Sequence, residues 1–240
     1  MTTMTLTPVR RTTRPVGLAL GSVTGTALVV AGVWNGLIQE HVTVPIPPSV
    51  TGGSPTRAMH TYYTWYAGTV GQERADTVLA MVGVTGLVLL ADALRRRAGA
   101  DTLARGSCTA IGAGGIVWLI GALIGTGGHR AVGLMATHGN QIDGVNSIAF
   151  TVDMTVDAFC AAAFILLGLA MLAIGIAPVR AGSARWGALS VVIGVVALVV
   201  AIGYLQGIDF VTTYVLGALA AVLLPAWLVW TGRALDSADS

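Results

Sequence analysis

Lysine is absent from this 240-residue chain, and all 13 basic residues are arginine. Without a lysine amine, neither a retinal-type Schiff base nor the phosphate-gripping lysine of a Walker loop can form. Charge of either sign is scarce: 10% of residues are charged, where about 25% is usual in a soluble domain. Cysteine is limited to Cys108 and Cys160, which read as small apolar packing residues and not as a disulfide framework. No glycine-rich fingerprint follows a strand-like stretch, so a nucleotide-binding fold lacks its signature. The formal charge of +2 comes from loop arginines and gives no reason to expect nucleic acid. No cofactor motif is present, and none is expected.

What the chain has instead is hydrophobic length. Apolar residues make up 55%, and the mean hydropathy is +0.79. Six stretches carry almost no charge: Val16–Ile38, Thr77–Leu94, Cys108–Gly125, Ala158–Ala177, Trp186–Leu205 and Val211–Trp230. Each is close to the ~20 residues that cross ~30 Å of hydrocarbon at about 1.5 Å per residue. The expected fold is therefore all-α: a six-helix transmembrane domain over residues 16–232, between tails at 1–15 and 233–240. The spans are 16–38, 77–94, 108–125, 146–177, 186–205 and 211–230, the fourth including a polar lead-in before Ala158. The first run is longer than the roughly 7 to 15 apolar residues of a signal-peptide core and reads as an uncleaved helix.

Arginine sets the orientation. Arg10, Arg11, Arg14, Arg95, Arg96, Arg97, Arg105, Arg180, Arg185 and Arg233 fall on one side of the alternation, against Arg57, Arg74 and Arg130 on the other. The positive-inside rule then makes both termini cytoplasmic, as an even span count requires. The cytoplasmic connections are short, whereas the exofacial ones run Gln39–Asp76 and Thr126–Ser147, with a tight Gln206–Phe210 turn between the last two spans. Recognition is thus expected on the exofacial side.

In the first long loop, Ser54-Pro55 reads as a helix start, with serine as N-cap and proline in the first turn. Met59, Tyr62, Tyr63 and Tyr66 follow on one helical face, predicting a short helix in the outer interface. It serves either as an aromatic belt anchor or as a lid over an exofacial pocket. Gly17, Gly21 and Gly25 on span one, and Gly121 and Gly125 on span three, mark stripes where backbones approach closely. Pro225 permits a kink in span six.

Span four holds the anomaly. Asn146, Phe150, Asp153 and Asp157 share one helical face, and two like charges at i, i+4 destabilise a helix. Either one carboxyl is protonated or a cation sits between them, which makes the pair a functional candidate. The bland reading is that Ala158–Ala177 alone spans the membrane, leaving both acids solvated at the positive end of a helix dipole. A salt bridge to Arg74 or Arg130 is a third reading. Asp143, Tyr62 and Trp65 are the neighbours expected to complete a binding site.

All four histidines, His41, His60, His129 and His138, are assigned to exofacial loops alongside Glu40, Asp76, Asp143 and Asp209. Their spacing matches no ligand motif, so no metal is expected, with His129 and His138 the weak candidates. Asp92 precedes Arg95 and Arg96 by three and four residues and should pair with them locally. Tyr204, Gln206 and Asp209 should cap the span five to six turn or face the pocket.

The six-span pattern, the long first exofacial loop, the arginine-rich connection between spans two and three, and the Trp186-Gly187-Ala188-Leu189-Ser190 start of span five resemble small six-span bacterial membrane proteins grouped as domains of unknown function. The lysine-free, Ala/Gly/Val-rich usage is similar to actinobacterial proteins. The resemblance implies a bacterial plasma membrane location and supplies no catalytic residue.

Three functions compete. The leading one binds, and by extension translocates, a small cation, proton-coupled solute or amphiphile through an exofacial acidic pocket at Asp153 and Asp157. The second is a non-enzymatic accessory or chaperone subunit that docks a membrane protein partner, or a second copy of itself, through its glycine stripes and aromatic loop. The third is an intramembrane lipid or isoprenoid enzyme in which an aspartate protonates an alkene beneath Tyr62 and Trp65. A non-enzymatic role ranks above an enzymatic one, and the bilayer is the one partner common to all three.

Overall fold

The computed structural model describes residues 16–33, 61–64, 70–138, 142–176 and 184–237. Among these residues no strand forms. Six helices carry the fold: α1 (Val16–Val33), α2 (Val70–Arg97), α3 (Thr102–Thr137), α4 (Ile142–Ile176), α5 (Ala184–Gln206) and α6 (Val211–Ser237). A single helical turn at 61–64 precedes α2. The helices α2 to α6 are long and apolar enough to cross a membrane, and α1 is a shorter apolar helix. The protein is a helical, multi-pass membrane protein.

Each helix packs antiparallel against its neighbour in sequence, and glycine marks the contacts. Gly83 and Gly86 of α2 face Leu28 and Thr24 of α1, so the register descends on one helix as it rises on the other. Gly114, Gly121, Gly125 and Gly128 of α3 face Ala163, Phe159, Val156 and Val152 of α4 in the same manner. Gly168 and Gly175 of α4 meet Gly194 and Gly187 of α5. The last helix returns to the first, with Gly17, Gly21 and Gly25 lying on Gly232, Leu228 and Pro225. In lipid, helices gain little from hydrophobicity against one another, and close backbone approach supplies dispersion contact in its place.

The α1–α6 closure also satisfies orphan backbone donors. In the first turn of α1, the Gly17 and Leu18 amides donate to the Asp236 carboxylate of α6 at 2.9 and 2.7 Å. At this same end lie Arg95, Arg96, Arg97, Arg105, Arg185 and Arg233, while Arg130 lies at the other. Asp92 pairs with Arg95 and Arg96 at 2.7 and 2.6 Å, as its spacing predicts.

The centre is filled by Leu87, Ile111, Phe164, Met171, Ile193, Leu219 and Trp227, each almost wholly buried. Its polar groups are paired. The Trp186 indole donates to Thr231 Oγ1, the Trp227 indole donates to Ser190 Oγ, and Ser190 donates to the Trp186 carbonyl, all at 3.0 Å. Trp186 and Ser190 are the ends of the Trp-Gly-Ala-Leu-Ser segment noted in the sequence.

Two local features follow from single residues. Gly207, with φ +62°, ends α5 in the left-handed region and turns the chain into α6. Pro225 has no amide proton to give to residue 221, which lies within the π-helical segment Leu219–Leu223; a second π segment covers Val211–Val215.

The extents of α3 and α4 correct the sequence reading. Thr126–Ser147 was expected as an exofacial loop, yet α3 runs on to Thr137 and α4 begins at Ile142. At about 1.5 Å per residue, the 36 residues of α3 measure ~54 Å, well beyond ~30 Å of hydrocarbon. Val132 and Ala136 of α3, with Val145 and Ala149 of α4, form a second small core at this end, which keeps the extension helical.

These contacts predict which glycines tolerate a side chain. A Cβ on Gly86 would overlap Thr24, whereas one on Gly112 meets nothing within 4 Å. Gly86→Val should cost about 1–3 kcal/mol of stability in detergent, the usual penalty of overpacking. Gly112→Ala should be neutral or stabilising by up to about 1 kcal/mol. Thermal unfolding of the two variants checks both signs.

Candidate functional site

The site begins with a glycine. A Cβ on Gly128 would press into the Val152 side chain, so its absence lets α3 and α4 close at this level. The next residue on each helix is ionisable, and His129 Nε2 lies 2.7 Å from Asp153 Oδ1. The Tyr63 hydroxyl donates to the same carboxylate, 3.3 Å from each oxygen. The Tyr63 ring also lies against the His129 imidazole, with centroids 5.7 Å apart, and Tyr62 meets Tyr63 edge-on at 5.3 Å. Tyr63 is anchored because it is buried on Val132, Ala136, Val145 and Ala149.

Partial burial defines what this cluster can do. The His129 and Asp153 side chains remain 25% and 37% exposed, so water reaches the pair although protein covers most of it. When Nε2 carries a proton it donates to the carboxylate, and the tautomer follows from that bond. Burial, and then the negative charge of Asp153, push the Tyr63 phenol above its ordinary range. The phenol therefore stays a protonated donor at neutral pH.

One turn deeper on α4 lies Asp157, also half-buried and within electrostatic reach of Asp153. Below it, Tyr204 of α5 lies near the buried Cys160 thiol. Tyr204 stacks on Phe164 with centroids 6.1 Å apart, and Trp118 packs against Phe164 at 5.3 Å. Polar groups thus run from Tyr63, His129 and Asp153 through Asp157 to Cys160 and Tyr204, and end on an aromatic floor.

Several residues expected at the site stand elsewhere. Asp143 is exposed in the first turn of α4, ten residues or ~15 Å of helix from Asp153. Phe150 is 60% exposed and points away from the interior, so the face proposed for Asn146, Phe150, Asp153 and Asp157 does not line one hollow; Asn146 is half-buried. His138 caps α3, its Nδ1 lying 2.6 Å from the Leu134 carbonyl oxygen, and it does not meet His129. Arg130 is exposed, and among the described residues the ionic partner of Asp153 is His129. Gln206 and Asp209 are exposed, while Tyr204 turns inward. Among the described residues no three metal-ligating side chains cluster. Trp65, Met59, Tyr66, Glu40, His41 and His60 lie outside the described residues, as do the side chains of Arg74 and Asp76.

The placement of His129 in a loop is corrected by the continuous helix from Thr102 to Thr137. Gly127-Gly128 and the neighbouring polar residues suggest a loop, but the glycine is needed for helix contact. The overlooked signal is the apolar spacing Val132/Ala136 and Val145/Ala149/Val152, which extends the periodicity past both span ends. Tyr63 as donor to Asp153 carries no sequence signal beyond its place on an aromatic face.

No family model matches the chain, and neither a curated protein nor a solved structure matches it.

The raised phenol gives a pH test. Because its folded value lies above the ordinary ~10, its contribution is complete below about pH 10 and is lost as pH rises beyond that. Tyr63→Phe should lower stability by about 1 kcal/mol at neutral pH and flatten the alkaline fall in the unfolding midpoint. An alkaline limb identical in both proteins would contradict the assigned hydrogen bond.

Proposed function

We propose that this chain is a six-span protein of a bacterial plasma membrane, with both termini on the cytoplasmic, arginine-rich side, which takes up a proton from the opposite face and couples it to the binding and movement of a small solute. The spread of arginines supports the orientation. The resemblance to small six-span bacterial proteins supports the location. Twenty or so residues of α4 next to the arginine end suffice for the hydrocarbon, which leaves Asp157 at its outer boundary and Asp153 one turn into the interface.

The observation that carries the reading is the 2.7 Å contact between His129 Nε2 and Asp153 Oδ1, with Tyr63 as a fixed donor and Asp157 one turn further in. Imidazole is the side chain whose ordinary titration lies nearest neutrality, and here it contacts a carboxylate to which a proton can pass. Asp157 offers the next acceptor for the proton, with the packed rings of Phe164 and Trp118 further along α4 and α3. A bare metal cation is the weaker ligand here, because Asp153 already has two protein partners. The leading sequence reading thus narrows from cation, proton-coupled solute or amphiphile to the proton-coupled solute.

The accessory-subunit reading loses its main support, since Gly17, Gly21, Gly25, Gly121 and Gly125 are occupied inside the bundle. The lipid-enzyme reading requires Trp65 beside Asp157, and Trp65 lies outside the described residues.

Purified protein in liposomes carrying a trapped pH-sensitive dye tests the proposal. An imposed gradient, acidic on the outer side, should drive proton entry that falls roughly tenfold or more in Asp153→Asn, equivalent to losing ~1.4 kcal/mol at the site. Asp157→Asn should reduce it, and the exposed Ser147→Ala should leave it unchanged. Equal traces for wild type and Asp153→Asn would end the proposal.

A further inference from the structure

A groove of about 680 Å³ runs along the outside of the bundle between α1 and α6, remote from the histidine–aspartate cluster. Its volume falls within the roughly 300–1,000 Å³ of small-molecule sites. Gly25 and Pro225 line the groove where α1 and α6 touch, the glycine lying directly on the proline. Thr26, Ala226 and Val229 line its length, and Trp230 and Arg233 stand towards the arginine-rich end of α6. From Pro225 to Arg233 is eight residues, ~12 Å of helix rise. The trough is thus apolar for most of its length and cationic at one end.

Charge separates Arg233 from Arg95 and Arg96 at that end, and its place in the groove separates it from Arg105 and Arg185. Arg95 and Arg96 are neutralised by Asp92, whereas among the described residues no carboxylate pairs with Arg233. Its neighbour one turn on, Asp236, is engaged with the Gly17 and Leu18 amides. Trp230 beside it is 37% exposed, leaving an indole edge at the level of the guanidinium. An apolar channel that opens to lipid and ends in a cation and an indole matches an amphiphile with an anionic head.

We propose that this groove is a binding site for an anionic glycerophospholipid, with its phosphate on Arg233 and one acyl chain along Thr26, Ala226 and Val229. A guanidinium grips a phosphate by parallel N–H donors, and a zwitterionic lipid offers a weaker net attraction. Ser22 and Thr26 leave small residues on the α1 wall, but a second copy would bring another Arg233 and no anionic group to the guanidinium, which an anionic lipid head supplies. The site is independent of the proton reading.

Native mass spectrometry of the full chain in mild detergent, titrated with phosphatidylglycerol and phosphatidylcholine of matched chains, tests the inference. The wild type should retain phosphatidylglycerol preferentially, and Arg233→Gln should weaken that binding about fivefold while leaving phosphatidylcholine unchanged. Arg233→Lys should keep the preference, and Ala226→Phe should weaken both lipids by filling the trough. Equal phosphatidylglycerol affinity in wild type and Arg233→Gln would overturn the site, as would displacement of the lipid by inorganic phosphate alone. A dimer that cross-links through Ala226→Cys would overturn it in favour of a second copy.

Discussion

Close approach of helix backbones is the constraint on which the rest of this molecule depends. With so little charge and so few polar side chains inside, the helices have no strong directional glue, and in lipid they have no hydrophobic reason to associate. What they have is glycine where the neighbour is closest. Gly17 against Gly232, Gly86 against Thr24, Gly114 against Ala163 and Gly175 against Gly187 bring the chains to a separation that a side chain would prevent. Dispersion between many atoms, each contributing only about 0.1–0.2 kcal/mol, then holds the bundle. The indoles of Trp186 and Trp227, buried in its centre, are hydrogen-bonded to Thr231 and Ser190.

The candidate site is a product of the same constraint. Gly128 on Val152 sets the spacing of α3 and α4, and the following residues, His129 and Asp153, are thereby held in contact. Asp153 shares its carboxylate with an imidazole and a phenol, while Asp157, one turn on, remains within reach of its charge. The arrangement lies between the two extremes that the sequence allows. The acids are neither sealed in a dry hollow nor splayed into open water, and exposure of about a third at Asp153 combines access with protein partners.

Much of the fold is legible in composition and periodicity. The apolar runs, the pairing of Asp92 with Arg95 and Arg96, and the close-packing role of Gly17, Gly21, Gly25, Gly121 and Gly125 all follow from spacing alone. The ends of the helices are not legible, because hydropathy marks where lipid is and a helix can continue beyond it on protein contacts, as α3 does through Val132 and Ala136. That is why His129 reads as a loop residue. Asp153 is legible as an anomaly, whereas its partners are not: Tyr63 is 90 residues away in sequence and His129 is 24, and no local pattern encodes those meetings. The capping of α1 by Asp236 is hidden for the same reason.

A double-mutant cycle tests the central claim most directly. His129→Ala, Asp153→Ala and the double variant, unfolded reversibly in bicelles at neutral pH, give the coupling between the two side chains. A partly buried charge-assisted contact predicts a coupling of about 1 kcal/mol or more. Additive single effects, agreeing within about 0.5 kcal/mol, would mean that the imidazole and the carboxylate do not act as one unit.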